Sequence, residues 1–125
     1  MIKISTIAML AVVSGVAFAG PKEAAKEKRL QERRDTQMVD AAKKRIAYSL
    51  TDPDSAKFRE VFVAPNQVAV CGDVNAKNSF GGYTGFRKFI YSSSKQGIDG
   101  DGSYFVEARW EDRCINGVIH SDDKP

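Results

Sequence analysis

Gln67-Val68-Ala69-Val70-Cys71-Gly72-Asp73-Val74 is the stretch on which the fold turns. Val68, Val70, Gly72 and Val74 alternate with Ala69, Cys71 and Asp73, the two-residue period of a strand with two different faces. Pro65-Asn66 makes a turn before it, and Glu60–Ala64 reads as a first strand with Val61 and Val63 on one face. Downstream, Phe86–Ser92 is a third strand, with Phe86, Lys88 and Ile90 opposed to Arg87, Phe89 and Tyr91. Gln96–Gly102, with three glycines, reads as a flexible turn. Ser103–Trp110 then reads as the fourth strand, since Tyr104, Val106, Ala108 and Trp110 alternate with Phe105, Glu107 and Arg109. A turn or short helix at Glu111–Cys114, a turn at Asn116-Gly117 and a flexible tail over 120–125 complete the chain.

Ahead of the strands, residues 22–50 contain neither Gly nor Pro and are rich in good helix formers, with Pro21 suited to a first turn. Val39, Ala42, Ile46 and Leu50 recur at helical spacing with Met38 beside them, whereas 22–37 offer only Leu30 as a large apolar side chain. The helix is therefore expected to dock through its C-terminal half. Residues 20–37 form an exposed basic helical arm that is solvated, frayed or reserved for a partner. Residues 22–45 carry nine Lys/Arg against five Asp/Glu, and 46–125 carry nine against eleven, so a mildly basic arm precedes a mildly acidic body. Asp52-Pro53 opens a further short helical turn through Ala56-Lys57-Phe58.

One helix followed by four strands with hairpin-like connections defines an α+β fold. A long N-terminal helix lies through its C-terminal half on a four-stranded antiparallel meander, in a single domain over residues 38–119. The opposite face, with Phe89, Tyr91 and Phe105, is left for a second layer, an oligomer contact or a binding surface.

Residues 1–19 read as a signal peptide: Lys3, an apolar run from Ile4 to Val16, and Ala17-Phe18-Ala19 with cleavage after Ala19. The run is too short and too weakly apolar for a permanent span, so no membrane insertion is expected after cleavage. The expected compartment is the periplasm. Cys71 and Cys114 are the only cysteines, and outside the inner membrane an even count favours a structural disulfide.

The residues that carry chemistry are sparse. A nucleophilic triad would have to use His120, the only histidine, and a zinc site would need more ligands than one His and a bonded Cys pair. Asp99-Gly100-Asp101-Gly102-Ser103 begins like a calcium loop, but Tyr104 and Trp110 stand where an EF-hand needs Gly and Glu. A glycine-rich turn accounts for it better. Asp73, Glu107 and Glu111 are carboxylates without a predicted cleft. The chain reads as a non-enzyme with no metal or cofactor site, and its nearly balanced charge argues against nucleic acid.

Asn75 to Phe86 joins two strands through three aromatics and three glycines, with no G-K-[ST] and no following helix that would make it a phosphate loop. Two readings stand. It is a recognition loop for a protein or glycan, with Asn75, Asn78, Phe80, Tyr83 and Phe86 as candidate contacts, or a long hairpin connection whose aromatics cover one end of the core.

Asp52-Pro53-Asp54-Ser55-Ala56-Lys57-Phe58-Arg59, followed by Val70-Cys71-Gly72-Asp73-Val74-Asn75-Ala76-Lys77-Asn78 and Gly81-Gly82-Tyr83-Thr84-Gly85-Phe86-Arg87-Lys88-Phe89, resembles a family of small, mostly uncharacterised exported proteins of Gram-negative bacteria and their prophages. The resemblance covers about Asp52 to Ile90 and implies export and a coherent domain, with no activity attached. The expected function is a non-enzymatic periplasmic binding protein that recognises or occludes an envelope protein, in the manner of an inhibitor, immunity or phage-exclusion factor. The alternative is an envelope structural or wall-associated factor using the basic N-terminal helix. A small hydrolase built on Asp73 or Glu107 is a third class.

Overall fold

The computed structural model describes residues 20–121; the expected signal peptide and residues 122–125 of the tail lie outside them. The elements are helix α1 (Pro21–Tyr48), a 3-10 turn at Pro53–Ser55, strands β1 (Lys57–Val63), β2 (Ala69–Asn75), β3 (Arg87–Ser92) and β4 (Gln96–Ile98), and helix α2 (Phe105–Arg109). A π-helical segment, Trp110–Ile115, continues α2. The sheet is a meander in the order β1-β2-β3-β4, each strand antiparallel to the next. The α+β architecture expected from the sequence is the one observed.

α1 opens with Pro21 in its first turn and the Gly20 N–H donating to the Glu23 carboxylate at 3.3 Å. Residues 20–30 are exposed throughout. Contact with the body starts at Gln31, whose amide donates to the Gln67 side chain in the β1–β2 turn. Ala42 and Ile46 are fully buried, and Met38, Val39 and Leu50 pack around them. This is the apolar stripe expected in the second half of the helix, and it lies on Val70, Val74, Phe89 and Ile98.

β1 carries a bulge. Arg59 pairs with Asp73 and Phe62 with Cys71, so Glu60 and Val61 both stand opposite Gly72. Glu60 takes a left-handed conformation (φ 50°) to accommodate the extra residue. A Cβ on Gly72 would lie 2.9 Å from Val61 Cα, so only glycine fits. The turn expected through Ala56-Lys57-Phe58 ends earlier: it is the 3-10 turn at Pro53–Ser55, and Phe58 already belongs to β1, edge-on to Phe89 at 5.7 Å.

The fourth strand lies elsewhere than expected. Gln96–Ile98 pairs with Phe89–Tyr91, whereas Ser103–Trp110 supplies the start of a helix. Gly97 is a strand residue because the Phe105 ring rests on it: an added Cβ would meet Phe105 Cδ1 at 2.9 Å. Phe105, Val106 and Cys114 pack with Ala64, Ala69, Cys71 and Ile90, and Trp110 joins them. They form a second layer on the sheet face away from α1. Phe89 and Tyr91, expected on that face, belong instead to the α1 side. The Cys71–Cys114 disulfide, with Cα atoms 6.0 Å apart, ties this layer to the middle of β2.

Candidate functional site: the loop between the second and third strands

The loop after β2 is organised by two asparagines. The Asn78 carboxamide oxygen accepts from the N–H groups of Phe80 (2.9 Å) and Gly82 (3.2 Å). Asn78 N–H donates to Gly82 C=O at 2.9 Å and Gly81 N–H to Asn78 C=O at 3.0 Å, which closes the tip. Gly81 sits at φ 80°, a conformation its lack of Cβ permits. At the base, the Asn75 carboxamide accepts from Gly85 N–H at 3.1 Å, and Lys77 bridges to Tyr83 across the loop. The 3-10 turn anchors the assembly: Lys77 N–H donates to Ser55 Oγ at 2.8 Å and the Tyr83 hydroxyl to Ser55 C=O at 2.9 Å.

The three aromatics have different surroundings. Phe80, at the tip, is 95% exposed. The Tyr83 ring lies beneath Lys57 Nζ at 4.6 Å, with Lys77 Nζ at 5.8 Å. The Phe86 ring lies beneath the Arg59 guanidinium at 3.9 Å, and Arg59 Nε also pairs with Asp73 at 3.0 Å. Of the five residues singled out in the sequence, Asn75 and Asn78 hold the backbone, Tyr83 and Phe86 carry a cation over the ring while staying part-exposed, and Phe80 is presented outward. Lys57, Arg59 and Ser55 were missed. The available signal was register: Lys57 and Arg59 stand opposite Asn75 and Asp73, two residues apart on one face of β1.

Apart from Asp73, the remaining candidates lie away from the loop. Asp73 is occupied by Arg59. Glu107 and Glu111 border a shallow recess with Lys88, Asp99, Val106 and Trp110, in which Lys88 Nζ lies 4.6 Å from the Trp110 ring. Asp99 is held above its ordinary pKa, chiefly by its hydrogen bond with Glu107 and secondarily by desolvation. Glu107 is held below its ordinary value by backbone hydrogen bonding and by that same contact with Asp99. In the turn Asp99–Ser103, burial pushes Asp101 upward, but its hydrogen bonds from Ser103 and from Ile98 N–H outweigh it and leave its pKa lowered. That carboxylate is spent on closing the turn. His120 lies against α2, its Nδ1 3.2 Å from Arg109. Among the described residues no group of three or more His, Cys, Asp or Glu is placed to hold a metal ion, and no helix is long and apolar enough to cross a membrane.

The chain matches no family model, and no curated protein or solved structure is significantly similar to it.

Proposed function

We propose that this protein is a non-enzymatic periplasmic binding protein that recognises, and occludes, a protein partner through the loop from Asn75 to Phe86. The observation that carries the reading is Phe80: a phenyl ring 95% exposed at the tip of a loop tied down by Asn75, Asn78, Ser55 and Tyr83. An exposed aromatic on a mobile loop would pay ordering entropy on binding, whereas a pre-ordered one does so only slightly. Aromatic anchors of this kind dominate interface energetics. The disulfide agrees with an oxidising compartment.

The test is photo-crosslinking from position 80. With p-benzoylphenylalanine in place of Phe80, illumination of intact cells yields a discrete adduct with one envelope protein, and the same probe in place of Leu30 does not. Adducts of equal pattern from both positions, or none from position 80, reject the loop as the contact. A second reading rests on the exposure of residues 20–30 along α1. If the chain is an envelope factor held by its basic arm, removing those residues releases it from the envelope fraction.

A further inference from the structure

The loop's surroundings say what chemistry its partner must have. Asp73, beside the loop on β2, is taken by Arg59 at 3.0 Å; the other acidic residues of the adjoining elements are Asp52 and Asp54 at the 3-10 turn and Glu60 in the β1 bulge. The stretch from Val61 to Ile98 contains Lys77, Arg87, Lys88 and Lys95, and Lys57 joins them from the adjoining strand. Lys57 and Lys77 flank the Tyr83 ring at the base of the loop whose tip is Phe80. Tyr83 and Phe86 are part-exposed, each with a cation over its ring, so Phe80 is the most open of the three aromatics.

We infer that the partner offers an apolar recess for Phe80 bordered by carboxylates for Lys57 and Lys77, so that the protein recognises an acidic protein surface. This rests on the loop reading above and adds its electrostatic half. Ammonium groups removed from water by a closing interface are strongly unfavourable unless the other side supplies counter-charge. The geometry favours carboxylates on a protein over phosphate groups. The guanidiniums, which match phosphate bidentately, are engaged internally: Arg59 with Asp73, and Arg87 with the Asp99 carbonyl at 3.3 Å. A lipid surface would need a broad apolar face to insert, and on this loop only Phe80 is almost fully exposed, with cations lying over Tyr83 and Phe86.

The experiment is an NMR titration of the 15N-labelled purified protein with a synthetic peptide of two leucines flanked by glutamates. A lysine-flanked counterpart and phosphatidylglycerol vesicles are run beside it. The expected result is saturable shifts confined to Lys57 and the loop from Lys77 to Phe86 with the glutamate peptide. Binding should weaken at least about tenfold in the Lys57→Glu/Lys77→Glu variant and at high salt. Each variant's dispersed spectrum reports that it is folded. Equal binding of the lysine peptide, no shifts in the loop, or tighter Phe80-dependent binding to the vesicles would overturn the inference. Binding lost in Phe80→Ala but unchanged in the charge variant would also overturn it, while leaving the loop reading in place. Charge-dependent binding indifferent to Phe80→Ala would remove both.

Discussion

The carboxamide oxygen of Asn78 accepts two backbone N–H groups at once, and that single side chain converts a glycine-rich connection into a fixed tip. The sequence shows an Asn before glycines, which marks a turn, but not which way the phenyl between them points. Gly72 is a second residue whose role depends on its neighbours. It looks like one more member of an alternating strand, yet it faces the two-residue bulge of β1. Gly72→Ala is predicted to destabilise the fold by about 1–3 kcal/mol, because the contact at 2.9 Å is with backbone that cannot swing away. A urea titration measures it, and an unchanged midpoint contradicts the bulge geometry.

Asp99 gives a pH signature at the same scale. Its pKa is raised in the fold, so the stability it contributes is present when it is protonated and is lost as pH rises through that value. Asn at this position stays neutral throughout. Asp99→Asn is therefore predicted to match the parent protein's stability in acid and to exceed it at neutral pH. A difference in melting temperature that does not vary with pH would contradict the pairing with Glu107.

At the scale of elements, α1 was legible because its apolar residues keep a helical period over Val39, Ala42, Ile46 and Leu50. Residues 20–30 are exposed to solvent throughout. Removing residues 20–30 is predicted to shift folding stability by no more than about 0.5 kcal/mol, as surface changes do. A larger loss in calorimetry would mean the arm packs on the body.

The C-terminal segment was misread for a physical reason. Tyr104 to Trp110 alternates in type, but burial follows Phe105, Val106, Arg109, Trp110, Arg113 and Cys114, which repeats every four residues. Two of those positions are arginines, so a hydrophobic count misses the stripe. Arg113 is fully buried with its guanidinium 5.1 Å from the Phe105 ring. The i→i+5 turns of Trp110–Ile115 take in more residues than α turns, which keeps a four-residue period on one face. Gly97 concealed β4 in the same way, its small size being a demand of the ring above it.

For the whole molecule, the sheet is buried from both sides, by α1 on one and the C-terminal layer on the other. The disulfide closes a separation of 43 residues and holds the smaller layer in place. Replacing both cysteines with alanine is predicted to cost about 2–5 kcal/mol, read from urea titrations of the two proteins. A loss near zero would mean that apolar packing alone retains the C-terminal layer. At the loop end Phe80 is held outward on a rigid support.

The most direct test of that assignment is the affinity of the protein captured from position 80 for two variants, Phe80→Ala and Leu30→Ala. Both side chains are exposed, and neither contributes to the core clusters. Phe80→Ala is predicted to weaken binding at least about thirtyfold, the loss of a central aromatic anchor, while Leu30→Ala leaves it unchanged. Equal affinities for the two variants would contradict the account.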